Sequence, residues 1–274
     1  SVCGLLTPGL PFGAGFFIEP GDGRLRDNYT GDRSDYYKYG LLQCFCQVDL
    51  QLGLIWYLFQ DEEPSAEGHG NDTAYYKLTK YQQCDPELVS ALAAIRSLPL
   101  TDRHVGLIRS SGIFPSNTIY FEEPLSFHQH PNFLTRRLYR KAWFQRALVA
   151  TQTCDVVYLD PDTGLETKSK PAYQADDGPK YLSYDEVGCF IEREQTVIIY
   201  QNRHRQPAQA IADQIRANFR LYLNVTVDIP VYYFNAGQAD RMFFIIPARR
   251  HEARIEAVLA EYNASPWQQF FRRL

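Results

Sequence analysis

The chain has 274 residues, 45% of them hydrophobic, enough for one large α/β domain with an ample core. A formal net charge of −4 and a pI near 5.9 exclude a generally basic nucleic-acid coat, so any polyanion must be met by a local cationic patch. Six scattered cysteines, none in paired CxxC spacing, exclude a zinc ribbon or a disulfide scaffold and read as the reduced thiols of a cytoplasmic protein.

Residues 1–27 form an irregular, Gly/Pro-rich lead-in whose apolar start lacks a basic leader, so neither a signal peptide nor a membrane span is expected. Residues 28–274 are expected to form the α/β domain. A polar turn over 28–35 leads into a helix reaching about residue 47, with Ser34 or Asp35 as its cap. In that helix Lys38 sits among aromatics, and Gly40 costs about 1 kcal/mol against Ala, which calls for a packing or ligand reason. The run 52–59 reads as a central strand, ending in acids and a long loop with Gly68 and Gly70. Asp85-Pro86-Glu87 opens a helix with Leu88, Leu92 and Ile95 on one stripe.

Residues 104–108 read as a short strand and 118–121 as a firmer one, closing on Glu122-Glu123-Pro124. An acid in that position is where dinucleotide-type folds bind a ribose hydroxyl. Residues 133–150 read as a long helix with Leu134, Leu138 and Leu148 inward. Arg136, Arg137, Arg140, Lys141 and Arg146 are expected largely outward, where Arg136, Arg140 and Lys141, with Tyr29 of the polar turn, could meet a nucleic-acid substrate.

The run 155–166 passes from a β-branched strand straight into Asp160-Pro161-Asp162-Thr163-Gly164, a buried strand ending in a polar loop that delivers carboxylates. A lid-like loop (167–180), a helix (184–193), a buried strand (196–200) and a helix striped by Ala208, Ile211, Ala212, Ile215 and Phe219 follow. Two strands at 225–234 and 242–246 form a hairpin-like pair before a last helix over 252–262. This alternation predicts a doubly wound, mostly parallel sheet with an antiparallel C-terminal hairpin.

That arrangement resembles the class I methyltransferases, and the motifs resemble them too. Asp160-Pro161-Asp162-Thr163 is similar to the Asp-Pro-Pro-aromatic motif of amino-methyltransferases. The resemblance implies that Asp160 accepts a hydrogen bond from the target amino group, with Pro161 and Asp162 beside it and no aromatic at Thr163 to stack on the flipped base. Gly31-Asp32-Arg33-Ser34-Asp35-Tyr36-Tyr37-Lys38-Tyr39 resembles the Gly-Asn-x-x-Asp-x-x-Lys-His segment of the J-type 23S ribosomal RNA adenine-N6 methyltransferases. This implies S-adenosyl-L-methionine as cofactor, with contacts from Lys38, Tyr39 (in place of the histidine), Asp61, Gly68, Gly70, Ser110 or Ser111, and Glu122 or Glu123. The third strand usual in the family, with its acidic cofactor contact, is not evident between Glu123 and Asp155. Two alternatives stand beside this expectation: a binding module that has lost catalysis, and a metal-dependent nuclease using Asp160, Asp162, Glu166 and Lys168.

Overall fold

A computed structural model describes residues 30–59, 75–203, 206–234 and 240–274. In chain order the elements are α1 (Arg33–Cys46), β1 (Leu52–Trp56), α2 (Thr79–Cys84), α3 (Pro86–Ser97), α4 (Gly106–Ser110), β2 (Ile119–Phe121), α5 (Phe133–Ala150) and β3 (Val156–Asp160). They continue with β4 (Gly164–Leu165), β5 (Tyr181–Leu182), α6 (Tyr184–Glu192), β6 (Thr196–Asn202), α7 (Ala208–Leu223), β7 (Val231–Phe234), β8 (Arg241–Ile246), α8 (Glu252–Ala264) and β9 (Phe271–Arg273).

The main sheet has seven strands in the order β2-β1-β3-β6-β8-β7-β9, while β4 and β5 pair separately. The first four of the row are mutually parallel, and β8 enters antiparallel between β6 and β7. The fold is thus α/β and Rossmann-like, with a reversed strand near one side. Parallel strands need both faces covered, and the β3 side chains show it. Val156 and Tyr158 join the core under α1, α3 and α8, whereas Val157 and Leu159 join the core under α5, α6 and α7.

Local chemistry sets the helix starts. The Asp32 carboxylate, one turn earlier than expected, caps α1 by accepting from the Asp35 amide at 3.0 Å. Asp85 does the same for α3 ahead of Pro86, and Ser183 with Glu186 forms a capping box on α6. Gly40 of α1 has a packing reason: the Trp267 indole lies where a Cβ would stand.

Three expectations are corrected. Residues 106–110 are helix α4 rather than strand, because the buried pair Val105 and Ile108 is spaced for a helical turn and so short an apolar run does not separate the two states. The C-terminal strand β9, unforeseen, pairs with β7 through Phe234 and Phe271. On α5 the inward face is turned: Leu134 and Leu138 are 62% and 60% exposed, while Arg140 is fully buried beside Trp143, Phe144 and Ala147. No described helix is long and apolar enough to cross a membrane.

Candidate functional site

The carboxyl ends of the parallel strands are where an α/β sheet exposes backbone and polar loops, and β3 ends there in Asp160. The second turn of α1 brings Lys38 to the same point. Its Nζ lies 2.8 Å from Asp160 Oδ2 and 2.8 Å from Asp35 Oδ1. The Asp35–Lys38 half is the i,i+3 pairing of one helix, whereas the Lys38–Asp160 half spans 122 residues of sequence. Tyr158, two residues back on β3 and therefore on the same face, donates its hydroxyl to Asp160 Oδ1 at 2.8 Å.

Burial acts against a charged lysine, but the facing carboxylates of Asp160 and Asp35 outweigh it and hold Lys38 protonated, well above its usual range. Burial, then the Asp160 charge, pushes the Tyr158 hydroxyl well up, which keeps it a donor. Burial and the neighbouring Asp35 charge raise the Asp32 carboxyl to about 6. The second Asp35 oxygen accepts from the Gly31 amide at 2.7 Å, at a glycine with φ of 90°.

The far side of the site is built from β6 and β8. Arg241 Nε donates to Ser34 Oγ at 2.9 Å, and its guanidinium lies 5.6 Å from the Tyr200 ring centre. Asn202 donates from its side chain to the Asp162 carbonyl at 2.8 Å and from its amide to the Thr163 carbonyl at 3.0 Å. The Asp160 carbonyl accepts from the Tyr57 amide at 3.2 Å. The turn Asp160-Pro161-Asp162-Thr163 is therefore held from both neighbouring strands. Gly164, at φ of 129°, lets the Gln201 side chain occupy the space of a Cβ and accept from the Leu165 amide at 2.8 Å.

Lys38, Asp160, Pro161 and Asp162 thus converge. Tyr39, the other half of the resembling segment, is fully buried and packs its ring edge-on against Phe114 at 5.5 Å. Ser111 Oγ donates to the Ile108 carbonyl at 2.7 Å at the end of α4. Glu122 pairs with Arg109 at 2.7 Å and Glu123 with Arg146 at 2.6 Å, both at the end of β2, with β1 lying between them and β3. Between these groups Trp56, in register with Asp160, stacks on Tyr120. Tyr29, Asp61, Gly68 and Gly70 lie outside the described residues.

The cations of α5 do not form one substrate-facing row. Arg140 is in the core, bound bidentately to Glu186 at 2.7 and 2.9 Å. Its remaining donors go to the carbonyls of Ala172, Gly178 and Tyr181 at 3.3, 3.0 and 2.6 Å. Arg136, one turn earlier, donates to the Gln174 carbonyl at 3.1 Å and pairs with Asp176. These two arginines fasten the 167–180 loop, while Arg137, Lys141 and Arg146 are exposed, the last of them paired with Glu123. Glu166 is also committed to backbone, accepting from the amides of Ala172 at 2.9 Å and Tyr184 at 3.1 Å, while Asp162 and Lys168 are exposed. Among the described residues, no three His, Cys, Asp or Glu side chains are grouped to hold a metal ion.

Sequence reasoning took Ser34 and Asp35 only as candidate caps of α1 and passed over Tyr158, Arg241 and Asn202. The i,i+3 spacing of Asp35 and Lys38 and the i,i+2 spacing of Tyr158 and Asp160 were available signals. The contacts from β6 and β8 had none. No protein-family model and no curated protein sequence matches this chain.

Proposed function

We propose that this chain is an S-adenosyl-L-methionine-dependent methyltransferase of the class I type acting on the amino group of a base in a nucleic acid. One observation carries the reading. The Lys38 segment and the Asp160 segment, which resemble the cofactor and catalytic motifs of one family, meet at 2.8 Å across 122 residues of sequence. The reversed β8 between β6 and β7 supports the same type.

The charges suit the cofactor. Asp32, Asp35 and Asp160 face Lys38 and Arg241, an excess of carboxylate that fits a ligand bearing a sulfonium and an ammonium. When bound, the cofactor supplies an electrophilic methyl group. The protein supplies position: Lys38 and Tyr158 each hold one oxygen of Asp160, and the remaining lone pairs accept from an exocyclic N–H. The partial burial of the cluster keeps bulk water from competing for that carboxylate.

Titration calorimetry with S-adenosylmethionine and a transfer assay on single-stranded RNA and DNA test this. Asp160→Ala is expected to abolish transfer and leave cofactor affinity within a few fold. Wild-type protein that binds no cofactor, or undiminished transfer by the variant, refutes the proposal. A second reading, a methyltransferase-like module that binds without turnover, is favoured by the donors already seated on both Asp160 oxygens and by the missing aromatic at Thr163. Cofactor binding with no transfer to any nucleic acid would decide for it.

A further inference from the structure

We propose that the solvent face of α5 is a docking surface for an amphipathic helix of a partner protein, one whose apolar stripe is flanked by Asp and Glu; the inference is independent of the methyltransferase reading. Four of the eight large apolar side chains that stand exposed among the described residues, Phe133, Leu134, Leu138 and Val149, belong to this one helix, so the exposure is concentrated rather than scattered. At 3.6 residues per turn, Leu134, Leu138, Val149 and the exposed Ala142 share an arc of about 80°. The stripe runs for about 22 Å at 1.5 Å per residue, and its three large side chains are 62%, 60% and 54% exposed. This is the periodic pattern of a helix face that packs on another element, yet it is turned to solvent, opposite the inner stripe of Arg140, Trp143 and Ala147.

Charge selects the occupant. The helix carries five cations and no acid, in a chain of net charge −4. Arg136, Arg140 and Arg146 are neutralised by Asp176, Glu186 and Glu123. Arg137 and Lys141, which border the apolar arc on one side, have no carboxylate partner among the described residues. Leucines beside unpaired cations fit an acidic amphipathic helix, whose apolar ridge packs along the stripe while its carboxylates reach Arg137 and Lys141. A second copy docked α5 to α5 would set these cations against each other, because an isologous contact pairs a patch with itself. Two free cations are too few to hold an acidic chain on an anionic membrane, where stable attachment takes a polybasic patch or a second anchor. Leucine and valine offer the bases of a single-stranded nucleic acid no ring to stack on. The surface is also preformed: on the inner side of the same turns Arg136 and Arg140 fasten the 167–180 loop, so little ordering is left for binding to impose.

The test uses the full chain and three fluorescein-labelled helical peptides of the length of α5, followed by anisotropy. One has a leucine stripe flanked by glutamates, one the same stripe flanked by lysines, and one the glutamate composition in scrambled order. The glutamate-flanked peptide is expected to bind at least about tenfold tighter than the other two. Leu134→Gln with Leu138→Gln is expected to weaken it about tenfold or more with no loss of melting temperature, since both side chains are exposed. Arg137→Glu with Lys141→Glu is expected to reverse the preference toward the lysine-flanked peptide, which a structural role for these residues would not produce. A glutamate-flanked peptide that binds no tighter than its scramble, or equally well to the leucine variant, overturns the proposal. If that peptide fails and the leucine variant instead abolishes self-association in sedimentation, or binding to phosphatidylserine vesicles or single-stranded RNA, the face belongs to that occupant and the proposal is overturned as well.

Discussion

Replacing Arg140 by Met isolates the energetics of the loop clamp. The side chain is fully buried and makes two bonds to Glu186 and three to backbone carbonyls. Glu186 also receives Tyr57 at 3.3 Å, Tyr173 at 3.4 Å and the Ser183 amide at 3.2 Å, so it remains hydrogen-bonded but loses its counter-charge. Breaking a buried pair from one side costs about 3–5 kcal/mol. In a chain of this size that is a fall in melting temperature of roughly 6–20 °C, at about 2–4 °C per kcal/mol. Arg140→Met with Glu186→Leu removes the buried charge, which by itself would restore most of the loss. The carbonyls of Ala172, Gly178 and Tyr181 stay orphaned, however, at about 1–3 kcal/mol for each one that water does not reach. The double variant is therefore expected to remain at least about 1 kcal/mol below wild type. Urea unfolding gives the stabilities, and limited proteolysis of folded protein is expected to cut first within 167–181. A single variant within 1 kcal/mol of wild type, or a double variant of full stability with an uncut loop, refutes the clamp.

Two further outcomes follow from the α1 region. Gly40→Ala gains about 1 kcal/mol of helix propensity but drives a methyl into Trp267, itself packed 4.7 Å from Tyr36; overpacking costs about 1–3 kcal/mol, so a net loss is expected in urea midpoints, and a net gain would show the indole moves freely. Asp32 holds its proton more tightly folded (about 6) than at its ordinary 3.8, so its contribution to stability is full below about pH 4 and lost as pH rises through about 6. Asp32→Asn keeps a capping oxygen for α1 and is expected to melt higher than wild type at pH 8 but not at pH 4; equal differences at both would contradict the raised carboxyl.

Much of the fold is legible in the sequence because local chemistry marks it. Asn132 accepts from the Thr135 amide at 3.1 Å and opens α5, whose expected bounds are those found. The continuous apolar runs of β3 and β6 lie in the centre of the sheet, buried on both faces. The facing of α5 was misjudged for a physical reason. Its inner stripe runs Arg136, Arg140, Trp143, Ala147, and hydropathy places arginine outside unless the partners that satisfy it are known. Those partners, Glu186 and three loop carbonyls, come from 32 to 46 residues away.

The same boundary divides the candidate site. The sequence by itself determined that Asp160 ends a buried strand in a polar turn and that Lys38 lies in an aromatic helix, because strand period, turn residues and caps act over a few neighbours. Only the tertiary structure decided that these two side chains form one ion pair, that Tyr158 holds the other Asp160 oxygen, and that Glu122 and Glu123 turn to Arg109 and Arg146 instead. Ion pairs are set by which charges the packed sheet and helices bring within a few ångströms, and that distance has no counterpart in sequence separation.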